Sequence, residues 1–161
     1  MTARLGPTRR EAALSDAVLT ASRVLVGVAA RSLADVGEEV SLQQYRALVV
    51  LAARGPQRPG DLAVALGVDP STATRLCDRL VGKHLITRRR PPADRRQVRL
   101  DLSARGRSLV DAVTERRRRE IDRIVAHVPA GEQAALVRAF TTFATAAGEL
   151  PDDRWARSWE L

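Results

Sequence analysis

The chain has 161 residues, 45% of them hydrophobic and 29% charged, with a formal net charge of +8. A chain of that length suits one domain and buries about 70% of its unfolded surface, enough to hold a core without a disulfide or metal staple. No apolar run approaches the ~18 residues of a membrane span, the opening MTARLGPTRR lacks the apolar stretch of a secretion signal, and one cysteine (Cys77) with two histidines leaves no intrachain bridge, no cysteine-based zinc site and no expected metal centre.

In chain order, residues 11–36 predict a first helix, because Leu14, Val18, Ala21, Leu25, Val28 and Ala29 recur at three- and four-residue steps, with Gly37 as its stop. Ser41 followed by Gln44 has the spacing of a capping box and opens a second helix whose stripe is Leu42, Tyr45, Leu48, Val49 and Ala52. Arg54-Gly55-Pro56 ends it. A short third helix over 59–66 buries Leu62, Ala63 and Leu66, and Gly67-Val68-Asp69 turns the chain. Asp69 is the expected N-cap of a fourth helix, about 70–83, with Pro70 at its first position. That helix buries Ala73, Leu76, Cys77, Leu80 and Val81 and turns Ser71, Thr74, Arg75, Asp78 and Arg79 outward.

The period then changes from helical to alternating. Val98, Leu100 and Leu102 alternate with Gln97, Arg99 and Asp101, predicting a half-buried strand with residues 85–90 as its antiparallel partner and 91–96 as the loop. Ser103 caps a long helix to about His127 that buries Leu109, Val110, Val113, Ile121, Ile124 and Val125. A last helix, about 131–149, carries Leu136, Val137, Phe140, Phe143 and Ala147 on one stripe, ahead of a tail with Trp155 and Trp159.

Charge is not spread evenly. Lys83 is the only lysine, as a GC-rich genome would produce, but codon usage does not place charge. From Arg54 to Arg99 eleven basic residues face four acidic ones, a local excess of +7, whereas the rest carries 16 basic and 15 acidic groups. The positive field therefore belongs to the segment made of two short helices, a three-residue turn and a basic hairpin. A winged helix-turn-helix of this kind fits duplex DNA: the second helix enters a major groove about 12 Å wide, where base edges are distinguishable. Ser71 and Thr74 there donate or accept hydrogen bonds, and Arg75 reaches a guanine or a phosphate. The alternative is a winged-helix module that docks another protein; the concentrated charge favours DNA.

From Leu42 to Gly106 the chain resembles the MarR family (multiple antibiotic resistance regulator). The motifs are Leu62-Ala63 with Leu66-Gly67-Val68, Ser71-Thr72-Ala73-Thr74-Arg75-Leu76, Asp78-Arg79-Leu80, the wing signature Asp94-Arg95-Arg96, and Leu102-Ser103-Ala104-Arg105-Gly106 after the wing. The resemblance implies a mainly α fold with a small β-hairpin wing. The winged helix-turn-helix (41–106) would be flanked by N- and C-terminal dimerisation helices (11–36 and 107–161) within one domain, 1–161. It implies a cytoplasmic, homodimeric regulator that binds a pseudo-palindromic operator on double-stranded DNA. Ser71, Thr72, Thr74 and Arg75 would read bases, Arg79 would face a phosphate, and Asp94 would steady the wing. Arg96 would enter the minor groove, with Arg95 beside it. It also implies a small-molecule effector bound between the dimerisation helices and the winged region, where Tyr45 would line the pocket; no cofactor, metal or membrane is implied.

Two positions depart from the family pattern. Arg58 stands where a serine or threonine usually caps the third helix, and His84 replaces the usual glycine after the recognition helix, as a backbone accommodation. Cys77 lies on an apolar stripe and is expected to be a small hydrophobe, with redox sensing as the alternative. His127 suits a helix C-terminus. The run from Glu115 to Glu120 reads as a solvated face with ion pairs, with a second DNA contact as the alternative, and Trp155 and Trp159 as dimer or tail packing, with a partner surface as the alternative. No nucleophile–base–acid set and no phosphate-binding glycine loop is present, so the chain is not expected to be an enzyme.

Overall fold

A computed structural model of the chain describes residues 8–34, 40–90 and 97–149. Gly37, the loop residues Asp94, Arg95 and Arg96, and Trp155 and Trp159 lie outside the described residues. The elements follow in the order α1 (Arg9–Ala34), α2 (Leu42–Arg54), α3 (Pro59–Leu66), α4 (Pro70–Gly82), β1 (Ile86–Arg89), β2 (Arg99–Leu102), α5 (Ala104–Val125) and α6 (Ala130–Ala146). This is the expected mainly α chain with one small antiparallel hairpin, pairing Ile86 with Leu102 through to Arg89 with Arg99.

Local chemistry explains most boundaries. The capping box at α2 is complete: Gln44 N–H donates to Ser41 Oγ at 3.2 Å and Ser41 N–H to Gln44 Oε1 at 3.0 Å. Gly67 closes α3 in the left-handed region at φ 65°, a conformation that costs a side-chain-bearing residue about 1–2 kcal/mol. Asp69 occupies the N-cap position of α4 as expected, but its side chain makes no capping bond, and Pro70 alone presets the first turn. At α3, Arg58 is the N-cap in extended backbone, also without a side-chain cap. Its guanidinium instead donates to Gln97 Oε1 at 2.8 Å, tying α3 to the hairpin side.

The end of α4 bears out the expectation for His84, which has φ 57° and is the only non-glycine with positive φ among the described residues. Leu85 N–H donates to Leu80 O at 3.0 Å and His84 N–H to Val81 O at 2.9 Å, the two bonds of a Schellman motif. Relieving that backbone cost with His84→Gly is expected to stabilise the fold by about 0.5–1 kcal/mol, set against the greater freedom of glycine in the unfolded chain. Urea denaturation would show it as a higher midpoint at unchanged slope; a lower midpoint would mean that the imidazole itself holds the turn.

The core gathers α2, α3, α4, the hairpin and α5 around Leu48, Leu62, Leu80, Leu85, Leu100 and Val110, all fully buried. Ser103 ties the hairpin to α5: its Oγ accepts from Gly106 N–H at 2.9 Å and donates to His84 O at 2.7 Å. His127 Nδ1 sits 2.8 Å from Arg123 O at the end of α5, the expected helix-end position. The residues from Glu115 to Glu120 carry the expected ion pair, Arg119 with Glu115 at 3.7 Å, but Glu120 pairs across to Arg31 of α1.

Several expected core residues are not covered. Leu14 and Leu25 of α1, Leu42 of α2, Ile124 of α5 and Val137, Phe140 and Phe143 of α6 are all exposed. In α1 only Val28, Ser32 and Leu33 are buried, and in α6 no residue is. Periodicity marks which face of a helix is apolar, but burial needs an element opposite, and no element among the described residues supplies one there. The expectation about membrane spans also needs correction: an 18-residue window within α1 is apolar and long enough to cross a membrane by length and composition. Asp16 and Arg23 interrupt the apolar run, while alanine, valine and leucine around them still raise the average. Eleven per cent of that window is buried.

Candidate nucleic-acid interface

On α4, Ser71, Thr74, Arg75, Asp78 and Arg79 point outward and Thr72 is half-buried, while Ala73, Leu76, Cys77 and Leu80 face the core. The sequence-predicted recognition residues therefore share one solvent-facing surface, with the exception of Asp94, Arg95 and Arg96, which lie outside the described residues. Thr74 has a narrower chemistry than a free hydroxyl. Its Oγ1 donates to Pro70 O at 2.9 Å, so it presents lone pairs and a methyl group outward rather than a donor.

The hairpin adds cations beside α4. Arg89 and Arg90 are exposed, and the strand register sets Arg89 directly opposite Arg99. Like charges across a ladder destabilise it by about 0.2–1 kcal/mol, a cost that an external anion removes. Arg99 Nη1 donates to Pro56 O at 3.3 Å, on the turn after α2. That turn is itself pinned to the hairpin, with Gln57 N–H donating to Leu100 O at 3.0 Å and Leu100 N–H to Gln57 O at 2.8 Å. The wing thus rests on the turn between α2 and α3 as well as on α4.

Asp78 of α4 forms an ion pair with Arg88 of β1. Sequence spacing alone does not link these two residues. Ten residues separate them, and only the hairpin's return along α4 brings them together. Both side chains are about half exposed, so the pair is worth at most about 1 kcal/mol. It links β1 to α4.

Between α3, α4 and the hairpin lies a cleft of about 420 Å³ lined by Pro59, Thr74, Cys77, Arg88, Arg90 and Val98. Burial pushes the Cys77 thiol above its ordinary range; the nearby Arg88 cation opposes this and the Asp78 carboxylate adds to it, both more weakly. The thiol therefore stays protonated at neutral pH, and iodoacetamide is expected to modify Cys77 in the native protein far more slowly than in urea-unfolded protein. Equal rates would show the thiol to be open. Because the folded pKa lies above the unfolded reference of 9.0, the buried neutral thiol supports the fold below that pH. That contribution is lost as pH rises beyond it, since the unfolded chain ionises first.

Comparison with known proteins agrees with this geometry. Residues 40–98 match the family model described as MarR family. The chain is 30% identical over 94 residues to the HTH-type transcriptional repressor NicR of Pseudomonas putida, covering 58% of this chain and 60% of that protein. It spans between 54% and 60% of the length of the curated relatives it matches. The crystal structure of RV1404 from Mycobacterium tuberculosis is similar at TM-score 0.83 and 45% identity, over 90% of this chain and 99% of that one. A mutant of S. aureus MepR bound to an oligodeoxyribonucleotide is similar at TM-score 0.63 and 22% identity, over 83% of this chain and 97% of that one, a likeness of fold alone.

Proposed function

The chain belongs to the MarR family, and from that premise we propose that it is a sequence-specific DNA-binding transcriptional regulator, a homodimeric repressor on a pseudo-palindromic operator that responds to a small-molecule effector. The observation that carries this reading is the outward face of α4, whose Arg75 and Arg79 have no ion pair or side-chain hydrogen bond among the described residues. Beside them stands the Arg89–Arg99 pair of like charges. A protein surface that leaves this much positive charge uncompensated is suited to a polyanion. MepR, which shares the fold, was solved with an oligodeoxyribonucleotide.

In this reading α4 lies in the major groove, Ser71, Thr72, Thr74 and Arg75 face base edges, and Arg79 faces the backbone. The wing reaches the neighbouring minor groove through Arg96, with Arg95 beside it and Asp94 steadying the loop. Two-fold symmetry puts a second α4 one helical turn away, roughly 10 base pairs along the duplex. Regulation acts in the cytoplasm, within a single domain over residues 1–161, and occlusion of the promoter accounts for repression.

The effector acts only through differential affinity for two dimer geometries. What supports an effector site is that two buried groups, the Tyr45 hydroxyl of α2 and Arg116 Nη1 of α5, have no hydrogen-bond partner among the described residues. Both are donors, so a ligand bearing acceptor atoms would satisfy them. Calorimetric titration of candidate ligands with and without operator tests the coupling, and equal affinity in both conditions would reject it.

The reading as a whole is tested by fluorescence anisotropy on the duplex upstream of this protein's own gene against a scrambled duplex, across a salt series. The expected result is a preference of about 10³ or more for the natural duplex and a steep fall of log K with log salt. Equal, weak binding, repeated with duplexes selected from random sequence, would overturn it in favour of protein docking. Arg96→Ala is expected to weaken operator binding by about 1–3 kcal/mol without unfolding the chain, and unchanged affinity would remove the wing from the mechanism.

A further inference from the structure

The two flanks of α4 are not equivalent. Thr74 lines the cleft on the hairpin side, whereas Thr72, Arg75 and Arg79 line a separate notch of about 180 Å³ on the opposite flank, closed by Ser41, Gln43 and Gln44 at the start of α2 and by Leu76 below. An α-helix with its side chains is about 10–12 Å across and the major groove about 12 Å wide, so a helix seated there brings its two flanks against the two phosphate walls. The notch is on such a flank. Its volume holds several waters at about 30 Å³ each in the liquid, room for a phosphate group with part of its hydration.

Its chemistry is that of an anion seat. Arg75 and Arg79 stand four residues apart on one helix, a like-charge spacing that is itself unfavourable, and neither is paired within the chain among the described residues. Gln43 is exposed and brings a neutral carboxamide with two N–H donors to the same space, and Ser41 brings a hydroxyl. The lining contains no carboxylate. We propose that this notch seats one phosphodiester of the DNA backbone, held by Arg79 and Gln43 with Arg75 at its edge, so that α2 as well as α4 sets the register of the protein on the duplex. The proposal rests on the DNA-binding reading above and adds Gln43 to the residues that carry it.

A phosphate contact positions without reading sequence, and each one released shows in the salt slope. The test compares the full-length wild type, Gln43→Glu and Gln43→Arg by anisotropy, on a duplex selected by the wild type from random sequence and on a scrambled duplex. Gln43→Glu is expected to weaken both by a similar factor, at least about tenfold, and to make the slope of log K against log salt shallower by about 0.9 for each seat. Gln43→Arg is expected to tighten both and steepen the slope, a gain that misfolding cannot imitate. Unchanged affinity and slope in both variants, with the wild type binding normally, overturns the seat alone. Loss confined to the selected duplex also overturns it and makes Gln43 a base reader. If the wild type discriminates no duplex, the DNA-binding reading falls and the seat with it.

Discussion

Among the described glycines, Gly106→Ala is expected to be the most damaging addition of a methyl group. A Cβ at residue 106 would stand 2.0 Å from the carbonyl oxygen of Leu85, 3.0 Å from its carbonyl carbon and 3.0 Å from Leu102 Cδ2. The first contact is backbone, and that carbonyl is already held by Ser103 N–H at 3.1 Å. Leu85 and Leu102 are themselves buried in the core. No side chain is free to swing away, so α5 must move off the hairpin or the junction must open. Overpacking of this kind costs on the order of 3 kcal/mol. For a chain of this size that lowers Tm by roughly 6–12 °C at fixed protein concentration. Circular dichroism melting of the variant beside the wild type checks it. A shift below about 2 °C would mean that the start of α5 yields easily, and that Gly106 is not what permits its close approach.

The second large effect concerns α6. Its stripe is apolar, yet none of its 17 residues is buried, and Val137, Phe140 and Phe143 are 65%, 44% and 54% exposed. Most of the stability of a protein helix comes from packing its amphipathic face, so this apolar stripe calls for a cover. The α1 stripe offers matching surface, with Leu14 66% and Leu25 38% exposed. A second copy of the chain brings both stripes again in two-fold arrangement, which is the dimer proposed above. Fully burying a phenylalanine is worth about 1.5–3 kcal/mol, and each of the two occurs twice across such an interface. Phe140→Asp with Phe143→Asp replaces that gain by four carboxylates seeking burial, at a further cost. The double variant is expected to sediment as a monomer where the wild type sediments as a dimer. Its operator affinity should fall roughly 10²–10⁴-fold, because half-sites are then engaged one at a time. A double variant that stays dimeric and binds normally would place the interface elsewhere.

Much of the candidate interface on α4 was legible from residue order. The outward and inward faces of α4 follow from helical period alone, because Ala73, Leu76, Cys77 and Leu80 leave no other face to turn inward. His84 was legible as a backbone position, since a helix and a strand meet there with no glycine between Gly82 and the strand. Asp69 marks the opposite case: its place as N-cap was predictable, but its side chain makes no capping bond. A rotamer depends on surroundings that spacing does not contain. The notch at Gln43 was equally out of reach, because its two walls come from segments about thirty residues apart in sequence.

What short-range chemistry settled here is the order, type and approximate ends of the elements, and the concentration of positive charge in one segment. Caps, turn residues and hydrophobic period act over a few residues and carry their meaning with them. What required the folded chain is which surfaces meet. The Gln57–Leu100 pairing, the Asp78–Arg88 ion pair, the contact that reserves residue 106 for glycine, and the exposure of α1 and α6 all depend on elements far apart in sequence. A stripe of leucine and phenylalanine announces that a face is apolar; only the packed structure says whether that face is covered, and the described residues leave α6 without a buried residue.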